Sequence, residues 1–189
     1  MRFTKNQLQQ RGVTLVEIVL ILGIIAILSS IILPNYKDAR AQFALERSAH
    51  KLAQDIRRVA EMALSSSECP VGTTCVGTVP PRYGIYISLN PPRAILFADT
   101  NSPVGMYTSG DDLIEELNIE QEVFIKDINV GSPPKKTSIT FEPPAPTVKI
   151  KWDSDGDDGA SVIITLALKS NQLKIKTVTV NKAGLVNVE

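Results

Sequence analysis

The run VTLVEIVLILGIIAILSSIIL, from Val13 to Leu33, constrains this chain more than any other stretch, because it holds one carboxylate and no other charge. Its roughly 21 residues are enough to cross a ~30 Å hydrocarbon core as a helix. Before it lies MRFTKNQLQQRG, a polar leader with Arg2, Lys5 and Arg11 and no acid. By the positive-inside rule this basic leader stays in the cytoplasm and the remainder of the chain lies outside the membrane. A secretory signal peptide has a shorter apolar stretch followed by a small-residue cleavage site. Pro34-Asn35-Tyr36 is not such a site.

A plain single-span anchor accounts for everything in this segment except Glu17. A charged side chain at mid-membrane costs about 2.5–3.5 kcal/mol on insertion scales, and an anchor gains nothing from it. Cleavage after Gly12 would create a new α-amino group on Val13, one helical turn from Glu17. An amine and a carboxylate can neutralise one another, above all between neighbouring chains in a low-dielectric bundle.

Arg11-Gly12 followed by Val13-Thr14-Leu15-Val16-Glu17 resembles the signal of type IV pilins and type II secretion pseudopilins. The resemblance implies that a dedicated prepilin peptidase cuts between Gly12 and Val13 and N-methylates Val13. It also makes Glu17, fifth in the mature chain, the residue that serves assembly, and Pro34 the residue that kinks the helix. Val13 departs from the usual Phe at the first mature position. The implied partners are the prepilin peptidase, other pilin or pseudopilin subunits, an inner-membrane assembly platform and the membrane itself. The implied location is the inner membrane as a single-pass precursor, then a pilus or pseudopilus filament.

After Pro34 the pattern becomes amphipathic. Leu45, Ala49, Leu52, Ile56, Val59 and Ala63 recur at spacings of four and three, while Arg40, Arg47, Lys51, Asp55, Arg57, Arg58 and Glu61 supply polar surface. This is a helix with one buried stripe. Pro34 removes one backbone donor, so a kink near residues 30–34 is expected rather than a break. His50 lies off the stripe and reads as a solvated helix residue. The expected organisation is a leader at 1–12, a transmembrane and assembly helix at 13–34, an amphipathic helix at 35–64 and a β-rich globular domain at 65–189. The fold class is therefore α+β, a long N-terminal helix packed on an antiparallel β-sheet domain.

Cys69 and Cys75 are too few for a disulfide framework, but an extracytoplasmic location favours a disulfide between them that pins the loop. Beyond them, strands are expected at Tyr83–Leu89, Arg93–Ala98, Glu122–Ile128, Ser138–Phe141, Val148–Trp152, Ala160–Leu168 and Leu173–Val180, with a final Leu185–Val188. The first two read as a hairpin about Asn90-Pro91-Pro92. In the stretch at 173–180, apolar and basic residues alternate, as in a half-buried antiparallel strand. Tyr83-Gly-Ile-Tyr-Ile, Ile95-Leu-Phe-Ala-Asp99, Ser109-Gly-Asp-Asp-Leu-Ile114 and Thr177-Val-Thr-Val-Asn-Lys-Ala-Gly184 also resemble the H-type minor pseudopilins and T-type minor pilins. That narrower resemblance implies the long helix packed on antiparallel sheets.

Other chemistries have less support. Asp153-Ser-Asp-Gly-Asp-Asp-Gly159 resembles the start of a calcium loop, with Asp153, Asp155 and Asp157 as alternate oxygen ligands. Asp158 stands where the loop needs Gly and Ile164 where it needs Glu, so a polar hairpin loop is the simpler reading. The loop from Asp99 to Asp112 reads as a surface turn or a contact loop to neighbouring subunits. One His, no nucleophile elbow and no phosphate-binding Gly-rich loop leave no basis for an enzyme, a cofactor or a metal centre. DNA-binding T-type minor pilins depend on a C-terminal Gly-Arg-x-Arg. Gly184-Leu-Val-Asn187 here lacks both arginines, and Lys169, Lys174, Lys176 and Lys182 are sparse for a phosphate track. A nucleic-acid partner is not expected, and a DNA-binding minor pilin of an uptake pilus is the alternative function. The leading expectation is a structural, non-enzymatic filament subunit.

Overall fold

The computed structural model describes residues 13–101, 105–130, 136–143, 147–152 and 159–189, without the side chains of residues 33–35. Among the described residues one helix, α1 (Leu15–Leu64), precedes nine strands: β1 (Arg82–Leu89), β2 (Pro92–Asp99), β3 (Asp112–Leu117), β4 (Val123–Asn129), β5 (Lys136–Glu142), β6 (Thr147–Trp152), β7 (Ser161–Leu168), β8 (Ile175–Asn181) and β9 (Val186–Val188). The fold class is the α+β arrangement expected. The described residues up to Arg40, from Val13 on, form one unit, and those from Ala41 to Glu189 form a second that contains the last six turns of α1 and all the strands. Pro34 lies within α1, which continues past it as one element.

In the second unit the helical stripe is buried as its spacing requires. Leu45, Ala49, Leu52, Ile56, Val59 and Ala63 are 4% exposed or less, and Ala44, Ser48 and Ala53 widen the stripe. Four alanines on one face let a helix backbone approach a sheet closely, while Leu52, Ile56 and Val59 fill the space between. His50 is exposed.

All strand pairs are antiparallel, and they form two sheets rather than one, with orders β3-β2-β1-β5-β6 and β4-β7-β8-β9. Hairpin β1–β2 has the expected partners, running from Arg82 opposite Asp99 to Leu89 opposite Pro92. A single apolar core joins the stripe of α1 to one face of each sheet: Tyr83, Ile85, Ile87, Leu96, Ile139, Phe141 and Ile150 from the first, and Ile125, Ile128, Ile164, Leu166, Val178 and Val180 from the second.

Two strand readings need correction. β3 falls where no strand was expected, because Asp112, Glu115 and Glu116 depress strand propensity. It is an edge strand, where such acids are tolerated and discourage pairing with another chain. In β8 the alternation is shifted by one residue from the reading at 173–180. Val178 and Val180 face the core at 0% exposure, whereas Leu173 and Ile175 are 88% and 46% exposed. Side chains alternate faces with period two, so burying the two valines forces Ile175, Thr177 and Thr179 outward.

The far face of the first sheet is covered by the β2–β3 connection. Tyr107 packs on Tyr86 and Phe97, with ring centroids 5.0 and 5.2 Å away. Gly84 makes this close packing possible, because a Cβ there would stand 2.7 Å from both the Phe97 ring and the Thr140 methyl.

Candidate assembly segment and neighbouring loops

Val13 and Thr14 precede α1, and Thr14 caps it. The Thr14 hydroxyl accepts from the Glu17 N–H at 3.3 Å, and the Thr14 carbonyl accepts from the Ile18 N–H at 3.3 Å. Thr14-Leu-Val-Glu17 is thus the Thr-x-x-Glu pattern of a capping box, a local signal that the reading of Glu17 as an assembly residue passed over. It also puts the Glu17 carboxylate at the positive end of the helix dipole. The Thr14 side chain therefore starts the helix, and Glu17 places a charge in its first turn. Gly12 lies outside the described residues.

From Val13 to Ile32 the apolar side chains are exposed along the helix, for example Leu15 at 79% and Ile27 at 63%. None of the described residues buries them, and soluble monomers do not expose contiguous apolar surface on this scale. α1 is long and apolar enough to cross a membrane. Within the second unit, basic residues of α1 reach β3, β9 and the β3–β4 connection. Arg47 makes two bonds to Glu120, at 2.9 and 3.0 Å, Lys51 donates to the Asn118 carbonyl at 3.2 Å, and Arg58 meets Glu115 at 2.8 Å. Arg57 donates to the Val186 carbonyl at 2.9 Å. Each exposed ion pair is worth no more than about 1 kcal/mol, so together they orient the helix more than they stabilise it.

The helix ends where Ser66 adopts φ 47° and the Ser67 N–H returns to the Met62 carbonyl, a Schellman-type stop. Tyr83 holds this exit through its hydroxyl, which donates to the Ser67 carbonyl at 2.8 Å; burial raises the pKa of that phenol. Cys69 and Cys75 form a disulfide, with Cα atoms 5.6 Å apart. Asp112 ties the loop to β3 by accepting from the backbone N–H and the hydroxyl of Thr74.

Asp99 and Asp111 are turned inward and used by the Asp99–Asp112 loop itself. Asp111 accepts from the backbone N–H groups of Thr100, Asn101 and Thr108. Asp99, 1% exposed, accepts from the Gly105 N–H at 2.8 Å and lies 3.7 Å from Arg82. Burial pushes its carboxyl above the usual range, against the Gly105 bond and with the Asp111 charge adding to the rise. Arg82 also reaches Glu142 at 2.9 Å, and Lys149 meets Glu142 at 3.2 Å. Hydrogen bonds from these two cations hold the Glu142 carboxyl below its usual value. On the helix, burial raises Asp55, while Lys51 opposes that rise.

Asp153, Asp155 and Asp157 lie outside the described residues. Among the described residues no group of three or more His, Cys, Asp and Glu side chains is placed to hold a metal ion. Lys169 and Lys174 lie in the β7–β8 connection, Lys176 on β8 and Lys182 in the β8–β9 turn, where Gly184 takes φ 78°. A crevice of about 340 Å3 beside β2, β3 and β4 is lined by Arg93, Leu117, Glu120, Phe124, Ile125 and Lys169. Glu120 is already engaged by Arg47 there.

The fold and the helix define an α+β protein in which a long, apolar N-terminal helix continues into a half packed on antiparallel sheets. No protein-family model, curated protein or solved structure matches the chain.

Proposed function

We propose that the chain is a structural subunit of a type IV pilus-like or type II secretion filament, a minor pilin or pseudopilin. It is made as a membrane precursor with its globular unit outside the cytoplasm. A prepilin peptidase cuts it after Gly12 and methylates Val13, and an inner-membrane platform then draws it into the filament beside other subunits. The observation that carries this reading is the exposed apolar helix with a carboxylate in its first turn, directly after the Gly12–Val13 junction. A long helix packed on antiparallel sheets and a disulfide in the globular unit are in keeping with it.

The physical logic links processing to assembly. Glu17 is costly in an apolar bundle, by about 2.5–3.5 kcal/mol. An ammonium about 4 Å away returns about 4 kcal/mol at an effective dielectric near 20. Only cleavage supplies that ammonium at Val13, so an uncut chain carries the cost without the partner.

Co-expression with a prepilin peptidase should shorten the chain by the twelve residues that precede Val13, read by intact-mass measurement. Gly12→Val should block this, and identical processing of that variant would remove the cleavage assignment.

A further inference from the structure

Two buried carboxylates, adjacent in sequence, link the disulfide loop to the β2–β3 connection. Asp112 opens β3 and is buried. Among the described residues, both hydrogen bonds to its carboxylate come from Thr74, one from the backbone N–H at 2.8 Å and one from the hydroxyl. Asp111, also buried, gathers both ends of the connection. It accepts from the N–H groups of Thr100 and Asn101 at 3.1 Å and from that of Thr108 at 2.7 Å. Thr74 takes its place from its neighbour Cys75, which the disulfide joins to Cys69 in the core. Thr78 completes the loop, its carbonyl accepting from the Cys69 N–H at 2.8 Å and its N–H donating to the Cys75 carbonyl at 3.0 Å. None of residues 70–79 is buried and none is charged, so little besides these bonds holds the loop in place.

We propose that the form of the β2–β3 connection is conditional on oxidation of Cys69 and Cys75, with the Thr74–Asp112 clamp carrying the coupling. Reduction frees Cys75, and Thr74 leaves with it. The Asp112 carboxylate is then buried without a donor, a state costly enough to turn it towards water. Asp112 pairs with Ala98 at the start of β3, so its movement frays the strand and displaces Asp111, on which Thr100, Asn101 and Thr108 depend. The middle of the connection keeps its own anchors, the Gly105–Asp99 bond and the packing of Tyr107 on Tyr86 and Phe97. The chemistry is a two-electron exchange. In oxidation the two thiols give up two electrons and two protons to a disulfide-bearing oxidant, which becomes a dithiol. In reduction a dithiol attacks through its thiolate at Cys75 Sγ, because Cys75 is the less buried cysteine. Cys69 leaves as a thiolate and takes up a proton, and the second thiol then displaces Cys75. An oxidising compartment therefore gives the connection its final form, with no need of cleavage or of a filament. The coupling is reciprocal: loss of the clamp makes the disulfide easier to reduce by the factor with which reduction weakens the clamp.

The test uses the full chain in bilayer nanodiscs, read by amide hydrogen exchange before and after reduction with dithiothreitol. Reduction should speed exchange at Thr74, Thr100, Asn101 and Thr108 by about ten-fold or more, the scale of losing hydrogen bonds to a charged group. Ile164 and Val178 should be unchanged, which verifies that the core stays folded. Asp112→Ala should speed the same amides in the oxidised chain, and reduction should then add little. Thr74→Val removes the hydroxyl donor, leaves β3 untouched and should act in the same direction by a smaller factor. In dithiothreitol redox buffers, Asp112→Ala should shift the ratio of reduced to oxidised protein about ten-fold towards reduced. Faster exchange confined to residues 70–78 on reduction overturns the proposal, as does an equal ratio for wild type and Asp112→Ala. If reduction also speeds Ile164 and Val178, the oxidised variants decide: unchanged exchange at Thr100, Asn101 and Thr108 in both overturns it.

Discussion

Replacing Gly84 by alanine tests the packing that holds the β2–β3 connection onto the first sheet. The new methyl would stand 2.7 Å from Phe97 Cε1, Phe97 Cζ and Thr140 Cγ2. Carbon atoms in contact prefer about 3.5–4.0 Å, so all three contacts are deep in the repulsive range. Phe97 is fully buried between Tyr86, Ile95 and Tyr107, which leaves it no open direction in which to move. Overpacking of this kind costs about 1–3 kcal/mol, with three clashes placing it near the top of that range. Restricting the unfolded chain at a former glycine returns about 0.5–1 kcal/mol. The net expectation is a loss of about 2 kcal/mol, or about 4–8 °C in melting temperature for a unit of this size. Thermal melts of the full chain in detergent, followed by near-UV dichroism, measure it. A second change, Phe97→Leu, should recover part of the loss by opening space over the new methyl. A shift under about 1 °C, or no coupling between the two changes, would refute the steric argument for this glycine.

Glu142 and Asp99 should give stability slopes of opposite sign. The depressed Glu142 carboxyl adds stability that is present above its unfolded-state pKa and is lost as pH falls through the lower folded value. The raised Asp99 carboxyl does the reverse, because its charged form is disfavoured in the fold, so stability falls as pH rises through the higher folded value. Denaturation across about pH 3–7 should therefore show Glu142→Gln removing acid sensitivity and Asp99→Asn flattening the decline above it; the opposite pattern would invert the assigned causes. Removing both cysteines should cost about 2 kcal/mol, from closure of a loop of about seven residues, and the same loss should appear in wild type on reduction. Glu17→Gln keeps a side chain that can serve at this capping-box position but removes the charge. It should leave helix content unchanged and impair filament incorporation, whereas normal incorporation would leave Glu17 with the capping role alone. Thr14→Ala should weaken the helix start by about 1 kcal/mol, seen as faster amide exchange in the first turn.

Much of the fold was legible where periodicity is long and strong. The stripe from Leu45 to Ala63 repeats over five turns, and the β1–β2 hairpin joins an alternating run to an apolar one about Asn90-Pro91-Pro92. β3 was not legible, because its acids contradict its state and only its place at a sheet edge, with Glu115 set against Arg58, makes them tolerable. The acids of the Asp99–Asp112 loop looked like surface features. Asp99 and Asp111 are held by backbone N–H groups a few residues away, and no side-chain pattern records those.

What the sequence by itself determined is the membrane-length helix, its charged first turn at Glu17, and the amphipathic continuation that needs a partner surface. These are local properties, set by composition and by spacing within a few turns. Tertiary structure alone decided that the strands divide into two sheets and which face of β8 is inside. A strand's alternation specifies two faces but not which one meets the core. Val178 and Val180 settled that by packing against Ile164 and the other core residues of β7, and in doing so they turned Ile175, Thr177 and Thr179 outward.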